Sequence, residues 1–176
     1  MMAQIFPNLV CKGIDSVNET SKASLVSGQV LEICQKKAAA VSIDEGYDLI
    51  VVSDTMLQDP DADTLAMGKA GDAIEAAAML HRLSGRRHRV WSATGIWHQS
   101  KWEFHLNQAI VEIAELSDEV LVELVLSNSW VGKAGAYDLA GEMNPYARLV
   151  EGDEATVLGI ACDAMERLVQ FSDYEV

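Results

Sequence analysis

Four side chains in this sequence have the types and placement of an anion-handling site: Asp54, Lys37, Lys69 and Lys133. Asp54 follows the unbroken run Leu49-Ile50-Val51-Val52-Ser53. A run of that kind, without alternation, predicts a strand over 47–54 buried on both faces of an α/β sheet. An unpaired carboxylate there is costly to bury. The strand is therefore expected to stop at Asp54, which either forms a turn by accepting local backbone N–H groups or opens a cleft. Lys69 lies in "MGKAG" and Lys133 in "GKAGAY", glycine loops that lack the GxxxxGK[ST] phosphate-loop pattern. A carboxylate among such cations could bind a divalent metal or act as a base, with the lysines balancing phosphate charge.

The elements that must position these groups follow from periodicity. Residues 28–41 read as a helix whose apolar face carries Val30, Ile33, Cys34 and Val41,. Lys37 falls on that face, so it either snorkels to water or meets an anion. The polar stretch 56–71 reads as a loop or hairpin. A helix begins at Asp72, with Glu75 at capping spacing, and presents Ala76, Met79, Leu80 and Leu83 inward before Gly85,. Segments 88–97 and 102–114 alternate as paired strands joined by "HQSK", with Trp91, Trp97 and Trp102 packing the hairpin,. Ser117 caps a further helix. Residues 8–14 are a strand candidate, and a last helix is expected over 159–171. The fold class expected is α/β: a mixed, twisted sheet with flanking helices and a long β-hairpin.

The chain has 176 residues, enough for one domain with its own core,. Its net charge of −14, from 27 acidic and 13 basic residues, argues against a nucleic acid polymer or an anionic membrane as partner,. Cys11, Cys34 and Cys162 are too far apart for a zinc motif and odd in number, which favours a cytoplasmic location. The start lacks a secretory pattern, and no apolar run approaches a membrane span.

The segments "VVSDT", "LHRLSGRRHRV", "GKAGAYDLAG" and "LVEGDEATVLG", in that order, resemble the Maf family of nucleoside triphosphate pyrophosphatases. That family is related in fold to the inosine triphosphate pyrophosphatases. Its pattern runs ADT, GKP, LSGRxHxV, DKAGAYGIQG and (I/V)(D/E)G…VxG, and the resemblance covers residue 8 to the C-terminus. It implies hydrolysis of a nucleotide, modified or non-standard ones included, to monophosphate and pyrophosphate, with Mg²⁺ as the divalent metal. Asp54 would be catalytic and metal-linked. Lys37, Lys69, Lys133 and Asp15 would contact substrate, with Glu19 the rival to Asp15. Family analogy also makes a homodimer expected.

The resemblance has departures. The family's first strand and its "SxSPRR" phosphate loop have no counterpart here, so the expected single Maf-like domain, residues 1–176, is N-terminally shortened. Arg86 and Arg87 would have to reach the cleft to replace that loop. Ala140 stands where the family has its base-recognising glutamine, and Asp138 where it has glycine. The alternative is a catalytically degenerate Maf-like binding or structural module.

Overall fold

The structure is a computed structural model that describes residues 6, 8–14, 17–43 and 46–172. Helix α1 spans Val26–Ala40. Strands β1, Leu49–Asp59, and β2, Ala62–Met67, form a hairpin. Helix α2, Ala73–Leu83, precedes the long hairpin of β3, Arg87–His98, and β4, Lys101–Ile113. Helix α3, Asp118–Leu126, strand β5, Ala147–Glu151, and helices α4, Glu154–Val157, and α5, Cys162–Ser172, complete the order.

The five strands form one sheet in the order β2-β1-β3-β4-β5, flanked by helices. This is the α/β architecture expected, built around the expected hairpin. Strand direction is more uniform than a mixed sheet: every pairing among the described residues is antiparallel. The reason is local, because tight turns join β1 to β2 and β3 to β4. At the β3–β4 turn, Gln99 (φ 50°) and Ser100 (φ 63°) are both left-handed, the backbone a two-residue hairpin turn requires,. Trp97 then sits opposite Trp102, and Trp102 stacks on Phe104 at 5.9 Å.

Burial follows the helical periodicity. Helix α1 buries Val30, Cys34 and Ala38 against Val52 and Ala93 on one face of the sheet. Another core cluster joins Leu57, Val90, Val111 and Ile113 to Ala76, Leu80 and Leu83 of α2 and Leu124 of α3. Asp72 caps α2 by accepting from the Glu75 N–H at 2.8 Å,. Glu75 itself accepts from the Gly71 N–H.

Three expectations are corrected. Strand β1 does not stop at Asp54. Thr55–Gln58 continue the ladder against Ser92–Arg89 of β3, so Asp54 lies mid-strand opposite Ala93. Nor is its apolar run sealed on both faces: Val52 is buried, while its neighbours are half-buried. The last helix, expected over 159–171, is α5, Cys162–Ser172, and Gly159 (φ 107°) turns the chain between it and the short α4. Among the described residues of 8–14 there is no strand; several of these side chains are exposed and too little apolar surface is covered to hold one.

Candidate active site

Asp54 faces a cleft of about 520 Å³ whose walls include Lys37, Lys69, Lys133 and Glu19. β2 joins β1 only from Leu57 onward, so the edge of β1 beside Asp54 carries no β2 partner. Lys37 reaches it from the last turn of α1 because Val30, Cys34 and Ala38 fix the face that the helix turns to β1,. Its Nζ lies 2.6 Å from Asp54 Oδ1 and 3.3 Å from Glu19 Oε1. The lysine therefore meets anions rather than water.

The two partners respond differently to burial. Desolvation raises the Asp54 pKa; the Lys37 hydrogen bond and charge pull it down but do not cancel the rise, and Glu19 adds to it,. Burial alone would lower Lys37, but hydrogen bonding and attraction to Asp54, with Glu19 behind them, leave it above the ordinary lysine value. The result is an ammonium that stays charged beside a carboxylate of increased basicity. A carboxylate so tuned is suited to take a proton from water.

Lys69 and Lys133 come from two loops that clip together. Lys69 and Ala134 form an antiparallel bridge, and the Gly135 N–H donates to the Gly68 carbonyl at 2.9 Å. Gly135 adopts φ +67°, and a Cβ there would lie 2.9 Å from Leu57 Cδ1, so the close approach needs glycine,. The pairing brings both lysines to the cleft wall. Lys69 is near enough to favour ionised Asp54. Lys133 instead pairs with Asp138, 3.0 Å away.

Of the expected substrate contacts, Lys37, Lys69 and Lys133 thus converge on one cleft with Asp54. Asp15 lies outside the described residues, and Glu19 occupies the acidic position beside Lys37. Arg86 and Arg87 do not line the cleft: Arg86 pairs with Asp61 and Arg87 with Glu112. Charge balance there falls to lysines.

Sequence reasoning missed how the opposite wall is held. Ser92 Oγ donates to the Thr156 carbonyl at 2.7 Å, and Thr94 Oγ1 accepts from the Ala161 N–H at 2.9 Å. Ser53 Oγ bonds the Gly159 carbonyl. These hydroxyls fix the segment that contributes Val157, Leu158 and Gly159 to the cleft. Their signal was the row of small hydroxyl residues within β-branched strands. The role of His88 was also missed: its Nε2 lies 2.8 Å from the hydroxyl of Tyr137, which lines the cleft.

A divalent cation of the magnesium type takes carboxylate and phosphate oxygens. Asp54 Oδ2 is buried without a hydrogen-bond partner among the described residues. Glu19, half-exposed, lies on the same lysine. No group of three or more His, Cys, Asp or Glu side chains able to hold a metal occurs among the described residues. One or two carboxylates with substrate phosphates supplying the rest is the usual magnesium arrangement, so the residues fit Mg²⁺ held jointly with a nucleotide.

Comparison with known proteins agrees with the geometry. A dTTP/UTP pyrophosphatase of Pyrococcus abyssi is 28% identical over 88% of this chain and 81% of its own length. The protein of the same name from Pyrococcus horikoshii is 30% identical over 88% and 82%. One from Ruegeria sp. is 31% identical over 90% and 80%. The family model described as Maf-like protein matches residues 1–171, and this chain belongs to that family.

Proposed function

We propose that this chain is a nucleoside triphosphate pyrophosphatase, a hydrolase that releases pyrophosphate and a nucleoside monophosphate. The observation that carries this reading is the half-buried Lys37–Asp54 pair in the wall of a cleft also lined by Lys69 and Lys133, with Asp54 Oδ2 buried and unpartnered among the described residues. Family membership and the pyrophosphatase names of the relatives support it.

In this account Asp54 accepts a proton from the water that attacks the α-phosphorus. Lys37 holds the carboxylate in place, and its charge favours the ionised form that must receive the proton. Lys37 and Lys69 offset the negative charge that builds on the phosphate oxygens. Mg²⁺, held by Asp54 and Glu19 with the nucleotide, would supply charge neutralisation of the phosphates. The relatives' names make dTTP and UTP the first substrates to try. Three free cysteines fit work in a reducing cytoplasm,, and no helix among the described residues is long and apolar enough to cross a membrane.

The test is pyrophosphate release from a panel of nucleoside triphosphates with Mg²⁺. Release from at least one nucleotide supports the reading. No turnover across the panel, with nucleotide still bound, would favour the non-catalytic binding module instead.

A further inference from the structure

Glu19 reaches Lys37 from a stretch with no regular structure of its own: residues 17–25 are neither helix nor strand, and α1 begins at Val26. Ordering such a tether costs backbone entropy that local bonds must offset. Those bonds lie along one stripe of α1. Gly28, Glu32 and Lys36 are four residues apart, so they follow one another on the helix surface,.

The segment runs back along that stripe in the opposite direction. Ala23 lies at Gly28, where a Cβ on the glycine would stand 2.9 Å from the Ala23 Cβ. Ser21 Oγ donates to Glu32 Oε2 at 2.6 Å, and the Lys22 N–H donates to the same oxygen at 3.1 Å. Lys36 pairs with Glu32 Oε1 at 2.9 Å and donates to the Thr20 carbonyl. The next residue, Glu19, then meets Lys37, the neighbour of Lys36 on α1, at 3.3 Å.

Glycine inside a helix is destabilising relative to alanine, and the close approach of Ala23 accounts for it at position 28,. A lone surface ion pair fixes little. Glu32, however, gathers three donors, two of them from the segment, and such charge-assisted bonds are the strong ones,. Neither Glu32 nor Lys36 lines the cleft, so any effect of theirs on the reaction must pass through the segment they hold.

We propose that the Gly28–Glu32–Lys36 stripe of α1 positions Glu19, with Glu32 as the central positioning residue that sets where the Glu19 carboxylate stands relative to Lys37 and Asp54. This inference rests on the nucleotide reading above and deepens it by naming what holds one of its carboxylates.

The first measurement needs neither substrate nor metal. Millisecond amide exchange at Lys22 and Ala23 is followed in the unaltered protein, Glu32→Ala, Glu32→Gln and Glu19→Gln. Glu32→Ala should speed exchange at both amides. Glu32→Gln, which keeps a carbonyl acceptor, should speed it less, and Glu19→Gln should leave it as in the unaltered protein. Unchanged exchange in Glu32→Ala would overturn the proposal, and so would release by Glu19→Gln, which would make the Lys37 contact the holder of the segment. The second measurement is a double-mutant cycle on kcat/KM for nucleotide hydrolysis. Glu32→Ala should lower kcat/KM by about tenfold, Glu32→Gln by less, and Glu32→Ala should cost nothing further once residue 19 is glutamine. An equal loss in both backgrounds would show a general structural role and overturn the proposal. If no nucleotide is hydrolysed, the pyrophosphatase reading fails by itself, and the exchange rates alone decide whether the stripe holds the segment.

Discussion

Lowering the pH should loosen the cleft through His88, a residue far from any charge transfer. It is only 2% exposed, its Nε2 is bonded to Tyr137 and its Nδ1 has no partner among the described residues. Burial pushes its pKa from 6.5 down to about 4. The neutral ring is therefore the folded form, while the unfolded chain takes up a proton as pH falls through 6.5. Stability is intact above that value, is lost between 6.5 and about 4, and changes no further from this group below. Taken to about pH 4.5, a shift of this size is worth roughly 2.5 kcal/mol. Urea unfolding of the native protein and His88→Gln at about pH 7 and 4.5 isolates it, because carboxylates that titrate in both proteins cancel in the difference. The advantage of histidine over glutamine should shrink by that amount on acidification. Parallel pH dependence in the two proteins would show that the ring is not held neutral by burial.

Three further outcomes follow from the geometry. Gly135→Ala must carry a Cβ at φ +67° into Leu57; it should cost about 2 kcal/mol in chemical unfolding and raise KM, by parting the Lys69 and Lys133 loops. Arg82→Ala leaves Asp59, 2% exposed, without the guanidinium that bonds it at 2.7 Å; urea unfolding should show a lower midpoint than the native protein, with kcat unchanged. The acidic limb of the kcat/KM profile should lie above 3.8, because burial raises Asp54,; a limb at or below that value would contradict the burial argument.

Helix faces, the long hairpin and the residues around Asp54 were legible because each has a local cause. The stripe Val30, Ile33, Cys34 fixes where Lys37 points, and that could be read from spacing alone. The course of β1 past Asp54 could not, since "TMLQD" has no strong strand signature and gains its continuous partner from β3, far along the chain. The break between α4 and α5 depends on Gly159 and on hydroxyls of β1 and β3 that capture the intervening turn. Arg86 and Arg87 were the available substitutes for a phosphate loop, yet Asp61 and Glu112 engage them. Nonlocal pairing of that kind leaves no periodic trace. The contact of Glu19 with Lys37 likewise has no signature in the spacing of the sequence.

The proton-accepting role of Asp54 is tested most directly by single-turnover pyrophosphate release from UTP and dTTP with Mg²⁺, comparing the native protein with Asp54→Asn. Asparagine keeps the shape and a hydrogen-bond acceptor for Lys37 but cannot take a proton. The chemical step should slow by about 100-fold or more, the range a positioned base supplies. Release at the native rate from the asparagine variant would contradict the account.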